Sequence, residues 1–125
     1  MSETVINEVS INGVDYVRKD SIKINATAET FDGLEYKIVR SYSAGVFAGY
    51  VKSRNGQEVT MTKARRLWYW NGANELSGLA VNGTAKPLDC KFGPECDVLL
   101  LNAIEILSVN EVARKSLQEV AIWQK

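Results

Sequence analysis

Residues 36–72 read YKIVRSYSAGVFAGYVKSRNGQEVTMTKARRLWYWNG. The centre of this stretch predicts a β-hairpin, with Val46–Ser53 and Glu58–Ala64 as strands on either side of Asn55-Gly56. Asn-Gly between two strand-like runs is the strongest short-range hairpin signal, because a type I′ turn needs positive φ at both central residues. If Arg54 faces Gln57 across that turn, Tyr50 lies opposite Met61, Ala48 opposite Lys63 and Val46 opposite Arg65. Val51, Gly49 and Phe47 then meet Thr60, Thr62 and Ala64 on the other face. Neither face is uniformly apolar, so one is expected to be half-solvated, as antiparallel sheets allow. Upstream, Tyr36–Tyr42 alternates as a further strand. Downstream, RRLWYW continues the hairpin, with Arg66, Trp68 and Trp70 on one face and Arg65, Leu67 and Tyr69 on the other. Gly45 and Gly49 sit around the strand after Tyr42, where a glycine marks a bulge or a place where another backbone or a ligand comes close.

The same stretch gathers the positive charge. Lys37, Arg40, Lys52, Arg54, Lys63, Arg65 and Arg66 stand against Glu58 alone, a net +6. Residues 1–35 carry −4 and residues 73–125 carry −2, so the zero net charge of the 125-residue chain hides a basic centre between acidic flanks. Tyr42, Phe47, Tyr50, Trp68, Tyr69 and Trp70 share that centre. An arginine pairs with a phosphate through two parallel bonds, and an indole face stacks on a base. A nucleotide presents both groups in one molecule. Arg40, Tyr42, Lys52, Arg54, Arg65, Arg66, Trp68 and Trp70 are therefore the expected anion-binding residues. The opposing readings are that the rings anchor a core while the arginines bond to sheet edges or to glutamates, and that the charge is met by another subunit through the acidic N-terminal segment, which makes a homo-oligomer an expectation.

Working outward, residues 5–17 carry a second hairpin signal at Asn12-Gly13, and Ile22 with Ile24 suits a short strand before the turn at Asp32-Gly33. The division expected is an N-terminal ribbon and linker over 1–35 and a compact domain over 36–125. Residues 73–82 fit one short helix through Leu76, Leu79 and Ala80, stopped at Asn82 or Gly83. Residues 84–97 read as a loop holding both prolines, and 98–107 as a strand. Ser108 or Asn110 caps a last helix running to about Gln118, with Glu111 in its first turn. Trp123 is expected to pin the C-terminus. The fold class is α+β: a twisted antiparallel sheet of four to six strands with two short helices.

Composition narrows the chemistry. The chain has no histidine, the commonest general base and metal ligand. Cys90 and Cys96 are too few for a zinc site and are read as free thiols. SAGVFAG has no GK[ST] and no helix behind it, so it is a poor phosphate loop. Ser41, Ser43 and Ser53 have no base. No catalytic residue, cofactor or metal is expected. The N-terminus lacks the features of a signal peptide, and no apolar run approaches the length of a membrane span. The acidic flanks disfavour a long polyanion, so nucleic acid is not the expected partner.

SAGVFAGYVKSRNG, then ARRLWYWNGANELSGLAVNG and CKFGPE, resembles a family of small uncharacterised proteins encoded by tailed phages and prophages. Its members share versions of the AGVFAGYLKSRNG and RRLWYW-x-GA blocks and an EI-I or EIL strand near the end. The resemblance spans residues 36–125 and implies origin; it brings no reaction and no catalytic residues. It sets the expected place of action in the host cytoplasm and suggests one purpose, sequestering a host signalling nucleotide. The alternative is a protein-binding module, either an inhibitor of a host protein or a minor virion or assembly component.

Overall fold

The computed structural model describes residues 27–124. Five strands and two helices follow in order: β1 Glu35–Ser41, β2 Gly45–Asn55, β3 Glu58–Tyr69, α1 Leu76–Asn82, β4 Lys91–Leu100, β5 Ala103–Ser108 and α2 Glu111–Gln118. The strands make one sheet in the order β4-β3-β2-β1-β5, antiparallel throughout. The α+β class with a twisted antiparallel sheet is therefore what the chain builds. The ribbon expected around Asn12-Gly13 and the strand at Ile22 and Ile24 lie outside the described residues.

The two edge strands are consecutive in sequence. Only Leu101 and Asn102 separate β4 from β5. Three Cα steps reach at most about 11 Å, whereas the edges of a flat five-stranded sheet stand about 19 Å apart. The sheet must therefore curl, and its backbone bonds show where it meets itself. Ala103 donates its N–H to the Gln57 carbonyl at 2.9 Å, and Tyr42 donates to the Asn102 carbonyl at 2.9 Å.

Curling gives the sheet two buried faces. The concave face holds Val39, Phe47, Val59, Met61, Ala64, Leu100 and Ala103. The convex face packs Tyr36, Ile38, Ala48, Tyr50, Leu67 and Phe92 against Leu79 and Ala80 of α1 and Ala113 and Leu117 of α2. The half-solvated face expected from the hairpin is found in part, since Thr60 and Thr62 stay partly exposed on the convex side, but the register differs. Asn55 pairs with Glu58, Val51 with Met61, Tyr50 with Thr62 and Ala48 with Arg65. The loop residues are Gly56 and Gln57, and of these Gly56 alone has positive φ, +62°. Glycine at the first central position is the II′ arrangement rather than I′.

A second irregularity completes the shift. Lys63 sits at φ 51° where β3 slips against β2 and β4. The extra residue lets Met61 and Ala64 both face inward, as in a bulge led by a left-handed residue. Gly49 meets β3 beside it. A Cβ there would stand 2.6 Å from the Cα of Ala64, which is the close approach that its place in a strand suggested.

Residues 84–97 are not one loop. Pro87–Asp89 form a 3-10 turn, and β4 already begins at Lys91, with Pro94 inside it. Proline is tolerated there because β4 is an edge strand. The expected strand over 98–107 is accordingly two strands broken at Leu101-Asn102. The helices stand where the sequence puts them. Gly83, φ +72°, stops α1 and returns its N–H to Leu79. The Asn110 side chain caps α2 by accepting the Ala113 N–H at 3.0 Å. The C-terminal tail is held by its backbone, with the Trp123 N–H on the Phe92 carbonyl at 2.8 Å, while the indole stays 38% exposed.

Candidate functional site: the basic residues of the sheet

The eight expected anion-binding residues separate into three groups. Arg65 and Trp70 belong to the fold. Arg65 is 4% exposed and faces the convex core. Its Nε donates to the Gly93 carbonyl at 2.8 Å, and its Nη1 donates to the carbonyls of Leu117 at 3.1 Å and Val120 at 2.6 Å. The Leu117 and Val120 carbonyls lie at and beyond the end of α2, where the last turn of a helix favours a cation. Burial pushes the Arg65 guanidinium below its ordinary value, with Tyr36 and Glu95 opposing that shift. Trp70 lies past the end of β3 and packs half-buried against the convex core. It does not continue the face of Arg66 and Trp68, because the strand has ended at Tyr69.

Arg40, Tyr42, Lys52 and Arg54 gather around β5. Arg40 pairs with Glu105 at 2.9 Å, and Tyr42, 80% exposed, is tied by its backbone to Asn102. Arg54 donates from Nε to the Gly56 carbonyl at 2.9 Å and shares a cavity of about 400 Å³ with Gln57, Ile104, Glu105 and Ile106. Lys52 and Arg54 also line a neighbouring cavity of about 380 Å³.

Arg66 and Trp68 form the third group, at the opposite end of the hairpin. Phe47 pairs with Arg66, so seven residues of β2 separate that level from Arg54, about 23 Å along the strand. One small ligand cannot span both places. The Arg66 guanidinium carbon lies 4.7 Å from the Phe47 ring centre and 5.0 Å from that of Trp68. Its Nε is buried with no hydrogen-bond partner, and no carboxylate pairs with it among the described residues. Trp68 is 58% exposed. Gly93 of β4 lies beside it, where a Cβ would come within 3.7 Å of the indole nitrogen. The sequence pointed to Arg66 and Trp68 through their shared face; it missed Phe47, whose place beneath Arg66 depends on the true register.

Part of the charge of the basic stretch is met inside the protein. Lys37 pairs with Glu35 at 3.2 Å and Lys63 with Glu95 at 3.9 Å, besides Arg40 with Glu105. A denser network ties α2 to Glu29, ahead of β1. Arg114 donates to Glu111 at 2.5 and 2.9 Å and to Gln118 at 2.7 Å, and lies 3.4 Å from Glu29. The Arg114 hydrogen bond holds the Glu111 carboxyl down at about 2 against the cost of burial. Burial also pushes the Tyr36 phenol well above its ordinary value. Cys90 is buried, Cys96 is exposed, and both are free.

Fold and site together define a small α+β domain whose curled sheet is backed by two helices and carries an arginine stacked on an exposed indole. Among the described residues there is no cluster of metal-ligating side chains, and no helix is long and apolar enough to cross a membrane. The chain belongs to the family described as Domain of unknown function (DUF6948), whose model matches residues 34–117, from just before β1 to near the end of α2. No curated protein and no solved structure matches the chain.

Proposed function

We propose that the protein binds an anionic small molecule, a nucleotide in the first instance, at Arg66 and Trp68. The observation that carries this is the stacked Arg66 guanidinium, held between Phe47 and Trp68 with no carboxylate partner among the described residues. A cation fixed on a ring has lost little further freedom when it meets a phosphate, and the exposed indole beside it offers a stacking face to a base. Arg65, next in sequence, is engaged elsewhere, so the proposed site is narrower than the basic stretch. The resemblance of residues 36–125 to proteins of tailed phages gives the reading its biological sense: an accessory protein, acting in the host cytoplasm, that sequesters a signalling nucleotide used in host defence.

Titration calorimetry of the full chain against a panel of cyclic and linear nucleotides tests this. Charge-assisted hydrogen bonds are worth about 1.5–3 kcal/mol, so Arg66→Ala should weaken binding roughly 10- to 100-fold. Trp68→Ala should weaken it by about 1–3 kcal/mol if a base stacks there. Absence of heat with every nucleotide for the wild type ends the nucleotide reading.

A further inference from the structure

The two edges of the sheet are treated differently. On β4, Pro94 removes one backbone donor, and the tail adds to the strand, with Ile122 bridging Phe92 and the Trp123 N–H on the Phe92 carbonyl. Such devices keep an edge from pairing with another chain. On β5, the hairpin loop takes only the first donor, the Ala103 N–H, through Gln57. From Ile104 to Ser108 no further strand pairs with its outer side among the described residues. That edge has no proline and no lysine, and it exposes Ile104 and Ile106.

Beside this edge lies a groove. The cavities of about 400 and 380 Å³ share Arg54 and Ile106, so they form one slot between β5 and the arm of the β2–β3 hairpin. Its apolar side chains are Ile104, Ile106, Val51, Leu34 and Ala103. Its acids are already matched, Glu35 by Lys37 at 3.2 Å and Glu105 by Arg40 at 2.9 Å. Lys52 and Arg54 remain, with no acid pairing to either among the described residues. The groove therefore joins an open strand edge to an apolar wall and two uncompensated cations.

We infer that this groove receives an extended acidic segment of a partner protein, which adds to β5 as a further strand. Main-chain bonds to an open edge give such a complex its affinity, and the alternate side chains give its specificity. The five residues from Ile104 to Ser108 match an incoming strand about 17 Å long. Apolar residues on one side of that strand lie on Ile104 and Ile106, and carboxylates meet Lys52 and Arg54. This surface is separate from Arg66 and Trp68, and the inference does not depend on nucleotide binding.

The test uses the full chain and end-blocked, fluorescein-labelled six-residue peptides read by anisotropy. One peptide alternates valine and glutamate, one alternates valine and lysine, and one has three valines followed by three glutamates. The first should bind at least 10-fold more tightly than either of the others. Arg54→Glu and, separately, Ile104→Lys should each weaken it at least 10-fold, with thermal melting showing that both variants fold. Equal binding of the alternating and block glutamate peptides would reduce the groove to a charged patch and overturn the inference, as would no binding of the first. Two further results overturn it by naming another occupant. If Glu3→Lys with Glu8→Lys raises peptide binding several-fold, the chain's own N-terminal segment fills the groove. If the wild type sediments as a dimer that Ile104→Lys makes monomeric, a second copy fills it.

Discussion

Arg65 and Arg66 are adjacent and chemically identical, yet the alternation of β3 sends one to the convex core and the other to the concave mouth. Arg65→Met would remove the side-chain donor that serves the carbonyls of Gly93, Leu117 and Val120. Hydrogen bonds to charged groups are worth about 1.5–3 kcal/mol, so a loss of about 3 kcal/mol or more is expected in urea unfolding. Arg66→Ala removes a partly exposed stack worth about 1 kcal/mol, and its unfolding midpoint should move far less. The sequence showed that the two arginines face opposite ways. It could not show which way was inward, because that depends on the end of α2, whose carbonyls are more than fifty residues away. A buried arginine serving backbone carbonyls has no sequence signature of its own. Local charge was for the same reason a poor guide to the ligand: Glu35, Glu95 and Glu105, which neutralise three of the seven cations, lie outside the basic stretch.

At the level of the elements, what was legible followed local chemistry. The Asn110 cap, the Gly83 stop and the hairpin itself sit where the residues required them. What was missed was register, since a one-residue slip exchanges the faces of a strand. Gly56 took the first loop position in place of the second, and Lys63 bulged. Each change is small locally, and together they bring Val59, Met61 and Ala64 onto one buried apolar face. Two substitutions probe this geometry. Gly49→Ala would drive a methyl onto Ala64, where the ideal distances are 2.6 Å to Cα and 2.9 Å to Cβ, and should cost about 1–3 kcal/mol by overpacking. Lys63→Gly relieves a left-handed residue with a side chain and should gain up to about 1 kcal/mol, since the left-handed penalty is about 1–2 and glycine adds chain entropy to the unfolded state. The Lys63–Glu95 pair that it loses is exposed and contributes little. Chemical denaturation of both variants at one pH gives opposite signs if the bulge is placed as described.

For the molecule as a whole, the network at Glu111 contributes to stability in a pH-dependent way. Its carboxyl falls from an ordinary 4.5 to about 2 in the fold, chiefly through Arg114. A carboxyl depressed in the folded state contributes stability above its unfolded value, and that contribution is lost as pH falls towards the folded one. Melting temperature should therefore decline between about pH 4.5 and pH 2, and Glu111→Gln should flatten that part of the curve while lowering the plateau above it. The curled sheet was not legible at all, because nothing local tells β5 to cross to the strand furthest from β4. That crossing has a consequence in time. The β2–β3 and β3–β4 pairings join neighbouring segments, whereas Lys37 pairs with Ser108, 71 residues on. Closing so long a loop must be completed before its contacts reward it, and topologies of this kind fold in milliseconds to seconds. The hairpins should form in the rate-limiting step and β5 should dock after it. Stopped-flow measurements should then find that Val59→Ala mainly slows folding, while Leu107→Ala mainly speeds unfolding. The strand that joins last would be the first to detach, so hydrogen exchange along β5 should outpace exchange in β2 and β3.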